Sequence, residues 1–179
     1  MFTLKSIIQI ADKSRPGYAE SIGFTEVGGY QPVGLPTNLM AIYQYAVGTP
    51  HDITEQSFMD FLPGDRLMLA TEIPSVRESL QSFYGVDELF NVLGRTPFLT
   101  NYSSDYFLTA DDNSGIYWLD HSQGTSLVSP NLESFLETVK ECYVQGAYYL
   151  ADDGFLDVND DLEFQIGVSL NPDCEFWLA

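Results

Sequence analysis

The sequence predicts one α+β domain, residues 1–179, with a central, mostly antiparallel sheet flanked by helices. Three observations carry this. The stretch Arg95–Asp120, RTPFLTNYSSDYFLTADDNSGIYWLD, reads as two aromatic and aliphatic strands about an Asp111-Asp112-Asn113-Ser114-Gly115 turn. On either side of it, apolar residues recur at the helical period of 3.6. At 179 residues, 45% hydrophobic and 14% aromatic, the chain can fill one core but not two.

From the start, Phe2 to Asp12 predicts a helix, with Leu4, Ile7, Ile8 and Ala11 on one face and Ser14-Arg15-Pro16-Gly17 ending it. Gly23, Gly28, Gly29, Pro32 and Gly34 break any long element from Tyr18 to Val33. Leu35-Pro36 then opens a predicted helix, with Pro in the first turn, Leu39, Ile42 and Ala46 in its stripe and Gly48 as its stop. Pro63-Gly64-Asp65 is a turn, Arg66 to Thr71 a strand, and Ile73 to Gly85 a helix whose Val76, Leu80 and Phe83 share a face. One more helical turn is expected between Val86 and Gly94.

The strands of Arg95–Asp120 are short and nearly all apolar, as expected of central strands covered on both faces. Asp105, Asp111, Asp112 and Asp120 fall at their ends, where they are expected to stay solvated. Thr125 to Val128 is a further short strand. Ser129-Pro130 introduces a helix with Leu132, Phe135, Leu136, Val139 and Tyr143 inside and Glu133, Glu137, Lys140 and Glu141 outside, stopped by Gly146. Leu162 to Leu170 fits strand or helix, and the tail ends in a turn and an aromatic anchor, Phe176-Trp177.

Charge is the most unusual bulk property. The chain holds 26 acids against 7 Lys plus Arg, net −19, and residues 96–179 carry 15 of the acids with Lys140 as their one base. Phosphate backbones and anionic membranes both require cationic contacts, so neither a nucleic acid nor a membrane surface is expected as a ligand. A field of this sign instead steers a basic protein partner. Two cysteines, Cys142 and Cys174, make no disulfide framework; Cys142 is expected as a small buried hydrophobe. No signal peptide or membrane-length apolar run is visible, so a cytoplasmic location is expected.

No catalytic, metal or cofactor motif stands out. His121 with Asp120 and Ser122 or Ser126 supplies the residue types of a hydrolytic triad, but no G-x-S-x-G elbow surrounds either serine. The two Cys and two His lack zinc spacing. Asp157-Val158-Asn159-Asp160-Asp161 begins like a calcium loop, yet Leu162 stands where Gly is needed and Ser169 where Glu is needed, which favours a solvated acidic loop. The glycines do not form a phosphate cradle. No catalytic residue, cofactor or metal is expected. The residue types are those of a binder.

The order of motifs resembles the SUKH superfamily over about residues 35 to 145. The likeness is carried by Leu35-Pro36 with Gly48, Phe61-Leu62-Pro63-Gly64 before a strand, Pro97-Phe98-Leu99-Thr100 with Asp105-Tyr106, Gly115 with Tyr117, Asp120-His121, and the Leu132 to Tyr143 helix. Bacterial members of that superfamily are mostly immunity proteins of polymorphic toxin systems, and fungal members include cell-wall synthesis regulators. The resemblance implies a non-enzymatic fold that neutralises a cognate toxin, commonly one acting on nucleic acid. The loop acids Asp111, Asp112, Asp152, Asp153, Asp157, Asp160 and Asp161 are the expected partner-binding residues. Two other functions remain open from the residues: an intracellular scaffold or regulator of the same superfamily without a toxin partner, and a hydrolase using His121 with Asp120.

Overall fold

The computed structural model describes residues 2–178; the outermost residues of the expected domain, Met1 and Ala179, lie outside them. Helix α1 (Phe2–Ser14) is followed by a single turn, α2 (Tyr18–Ser21). The expected helix after Pro36 is much shorter, a 3-10 turn at Thr37–Leu39 running into α3 (Met40–Tyr43). The reason is tertiary. The amides of Val47 and Gly48 go to the Ile22 carbonyl, and Thr49 donates to Leu67, so residues past Ala46 join other segments rather than another helical turn. Gly48 has φ +114°, and a Cβ there would overlap the Met68 carbonyl, so its role is close backbone approach and not helix termination.

Strand β1 (Asp65–Leu67) follows the Pro63-Gly64 turn, and α4 (Ile73–Tyr84) starts with Pro74 in its first turn. Val76 and Leu80 face inward, but Phe83 is 81% exposed. Tyr84 takes the expected place, its ring 4.3 Å from that of Phe90. Residues 86–94 form turns without a helix, and they fold beneath the end of α4, shifting its buried face by one residue.

The Arg95–Asp120 stretch contains three strands where two were expected: β2 (Arg95–Asn101), β3 (Tyr106–Ala110) and β4 (Ile116–Asp120). The additional reversal is built by Asn101, whose Oδ1 accepts from the amides of Ser103 and Asp105, both at 2.9 Å, and by Ser104 at φ +64°. Such an Asx turn replaces backbone pairing with a side-chain acceptor. Strand β5 (Gly124–Ser129) completes an antiparallel sheet of order β1-β2-β3-β4-β5. The fold is therefore α+β.

Helix α5 (Leu132–Gln145) is capped by Asn131, one residue beyond the Ser129-Pro130 pair, through Ser134 N donating to Asn131 Oδ1 at 2.9 Å. A two-stranded sheet, β6 (Tyr148–Leu150) with β7 (Leu156–Val158), then leads into α6 (Asp160–Leu170) and a terminal 3-10 turn, Glu175–Trp177. Phe107 and Ile116 belong to the main core with residues of α1 and α5, while Leu108 and Leu119 pack with Leu80, Phe90 and Val92 in a second cluster. The central strands are thus covered on both faces, as their continuous apolar runs require.

Two polar networks tie these layers together. Arg15, 1% exposed, donates from Nη1 to the carbonyls of Ser57 (3.0 Å) and Asp60 (2.7 Å) and from Nη2 to Tyr143 Oη (2.8 Å). Asn171, also buried, accepts from Ser129 Oγ at 2.8 Å and donates to Thr138 Oγ1 at 2.9 Å, joining β5, α5 and the end of α6. Among the described residues, no helix is long and apolar enough to cross a membrane.

Candidate functional site

The expected binding acids fall into two groups. Asp111 and Asp112 occupy the β3–β4 turn, which touches the start of α5 because Leu132 N donates to Asn113 Oδ1 at 3.1 Å. Asp152, Asp153, Asp157, Asp160 and Asp161 lie on the β6–β7 hairpin and the first turn of α6. That unit adjoins the other end of α5, where Asn159 N donates to the Ala147 carbonyl at 2.8 Å. The 14 residues of α5 span about 21 Å at 1.5 Å per residue, so the two groups do not converge on one patch.

They also differ in chemistry. Asp111 is half-buried and paired with Arg77, and its Oδ1 accepts from Thr96 Oγ1 at 2.7 Å, so it anchors α4 to the sheet. Asp112 is exposed and caps its own turn through Ser114 N at 3.0 Å. All five acids of the second group are exposed, and among the described residues none forms an ion pair with Lys or Arg. Lys140, the sole base of residues 96–179, is held by Glu137 and Glu141. Tyr149, Leu150, Phe155 and Phe164 are exposed on the same hairpin and helix. The sequence showed the charges but not this interleaving with apolar side chains.

Asn159 explains why the calcium-like pattern is not a calcium loop. Its Oδ1 caps α6 by accepting from Leu162 N at 3.1 Å, and Asp161 is already inside the helix. Asp160, Asp161 and Glu163 lie in that first turn, where the helix dipole favours negative charge.

The His121 cluster departs from the written triad. His121 Nδ1 lies 2.7 Å from Asp105 Oδ1, and the His121 amide donates to the same oxygen at 3.1 Å. Asp120 Oδ1 instead accepts from Ser122 N (2.7 Å), Ser122 Oγ (2.6 Å) and Gln123 N (3.1 Å), which closes the β4–β5 turn. The serine hydroxyl thus points its proton at the carboxylate and not at the imidazole. Asp105 is buried, contrary to the solvated position expected of it. Burial works to raise its pKa, but hydrogen bonds from Asn101 and His121 outweigh that and hold it below the ordinary value. The Asp105 hydrogen bond and charge in turn raise His121. Asp105, Asp120 and His121 bring potential metal-ligating atoms within 4.8 Å of one another, but the two carboxylates are already engaged as turn and histidine acceptors.

A feature with no sequence signal lies between the sheet, α5 and α6. A cavity of about 180 Å³ is walled by Phe107, Trp118, Phe135, Phe176 and Trp177, with Asp65, Tyr148 and Glu163 supplying its polar atoms. Burial, reinforced by Asp60, Asp105 and Glu163, pushes the Asp65 carboxyl up to about 8. Burial also raises Glu163, against a hydrogen bond from Tyr148 Oη to its Oε1 at 2.6 Å. Cys142, close by in α5, is buried and pushed up to about 12, as expected of an inert thiol.

No family model matches the chain, and no curated protein matches it significantly.

Proposed function

We propose that this protein is a non-enzymatic binder of a basic protein, acting as an immunity protein that neutralises a toxin directed at nucleic acid, as its SUKH resemblance implies. The observation that carries the binding reading is the β6–β7–α6 edge. There, five exposed aspartates without cationic partners among the described residues alternate with exposed Tyr149, Phe155 and Phe164. Uncompensated acids steer a basic partner into encounter, and exposed aromatic anchors supply the contact area that holds it. An enzyme that handles nucleic acid presents the matching charge around its cleft. Asp157, Asp160 and Asp161 carry the electrostatic part of the recognition, while Asp111, tied to Arg77, serves the fold.

The test is co-purification with the product of the adjacent gene, followed by association kinetics of a D157K/D160K/D161K variant. Association should slow and its salt dependence flatten. Absence of binding to any adjacent toxin-like protein would reject the immunity reading. Unchanged kinetics in the triple variant would reject this edge as the contact surface.

A further inference from the structure

We infer that the aromatic cavity beneath α6 is a binding site for a small organic ammonium ion with an apolar body, a function separate from the acidic edge and independent of any protein partner. Three features of the cavity define the ligand.

Size comes first. A cavity of about 180 Å³ is comparable to the roughly 150 Å³ apolar void known to admit benzene, so a single ring with a short polar arm fits. Left empty, such a void is a stability liability.

The walls come second. Phe107 stands with its ring centroid 4.8 Å from Trp118 and 5.4 Å from Phe135, and Phe176 lies 4.8 Å from Trp177 in an edge-to-face pair. Rings clustered in this way offer both apolar contact and the negative π faces that attract ammonium groups.

The polar atoms decide the charge. Asp65 lines the cavity, and its Oδ1 is buried without a hydrogen-bond partner among the described residues. Glu163 is the second carboxyl, and no Lys, Arg or His among the described residues lines the cavity. Arg66, Arg15 and His121 are committed elsewhere: Arg66 to Glu72 Oε1 at 2.6 Å, Arg15 to its carbonyls and Tyr143, and His121 to Asp105. A buried acceptor without a donor is rare in folded proteins and asks for one. An ammonium supplies three donors and a positive charge, and it would draw Asp65 into its ionised form, with release of the Asp65 proton to solvent. A carboxylate ligand finds no cation on the cavity wall, and the acids that already oppose ionisation of Asp65 disfavour a further negative charge there.

The chain carries its own reporters. Its two tryptophans, Trp118 and Trp177, both wall the cavity, so tryptophan fluorescence reports on it; Trp118 also lines a second pocket with Asp120 and Glu175, and the D65N variant tells the two apart. The full chain is titrated at pH 7.5 with benzylammonium, benzyl alcohol and benzoate. Benzylammonium should bind at least about tenfold more tightly than benzyl alcohol, since a buried charge-assisted hydrogen bond and cation–π contact are present in one and absent in the other. Benzoate should not bind. In D65N, with its fold checked by far-UV circular dichroism, the preference for the ammonium should fall to within about twofold. Equal affinity of wild type for the ammonium and the alcohol would overturn the inference, as would no fluorescence response to any of the three, or an undiminished ammonium preference in D65N.

Discussion

Replacing Asp65 by Asn should stabilise the protein, and the gain should grow with pH. Asp65 follows the Pro63-Gly64 turn, its Oδ1 is buried without a partner among the described residues, and Asp60, Asp105 and Glu163 all oppose its ionisation. Its carboxyl is raised from an ordinary 3.8 to about 8, so across that window the folded protein keeps a proton that the unfolded chain has released. Stability therefore falls as pH rises from about 4 towards 8, by up to about 1.4 kcal/mol per pH unit. The side-chain amide of the D65N variant does not titrate, so this loss is absent from it. Between pH 5 and pH 7 the D65N variant should gain about 3 kcal/mol on the wild type at most, and about 2 kcal/mol once water entering the cavity shields the carboxylate. Urea unfolding of both proteins at pH 5, 6, 7 and 8 measures the gap, and acids remote from Asp65 cancel in the comparison. A gap that stays constant across the series, or a D65N variant less stable than wild type at pH 7, would refute the reasoning.

Three further outcomes follow from the packing. Arg15→Met deletes the fully buried guanidinium and its three hydrogen bonds, and should cost about 3–5 kcal/mol in urea unfolding; Arg15→Lys should recover less than half, since one ammonium cannot span Ser57, Asp60 and Tyr143. Gly167→Ala puts a Cβ into the Trp177 indole, whose Nε1 donates to the Val128 carbonyl at 2.8 Å; displacement of the ring should cost about 1–3 kcal/mol and shift tryptophan emission to the red. Asp105→Asn removes the hydrogen bond and charge that raise His121, so the His121 midpoint followed by NMR should move down; an unmoved midpoint would remove this pair as the cause.

The parts of the fold legible in the sequence are those specified locally. The 3.6-residue period of α1, α4 and α5, the β4 run bounded by Gly115 and His121, and the turn at Asp111–Gly115 all follow from neighbours in sequence. Where distant segments claim a backbone group or a side chain, the local reading fails. The Leu35–Gly48 pattern loses half its helix because Ile22 and Leu67 take up the amides of residues 47–49. Phe83 turns outward because residues 86–94 pack under Tyr84 instead. Asp105 reads as a strand-end acid, yet its carboxylate is the acceptor that orders both Asn101 and His121.

The candidate sites divide along the same line. Asp152, Asp153, Asp157, Asp160 and Asp161 are visible as charge because exposed acids need no partner to be recognised in a sequence. Asp65 is invisible for the opposite reason: it sits in a turn tripeptide, and the cavity it lines is shared with Tyr148, Glu163 and Trp177, more than eighty residues further along. Ordinary selection for stability would replace such a residue, since a partnerless buried carboxyl lowers stability at neutral pH and Asn or Leu would not. Strongly perturbed acids beside a cavity are where proteins keep groups needed for binding or chemistry. The same residue therefore joins the stability and binding arguments: an ammonium guest that ionises Asp65 should weaken the pH dependence that D65N abolishes. Wild type saturated with benzylammonium should accordingly lose less stability between pH 5 and pH 8 than wild type alone, while D65N should show no such difference.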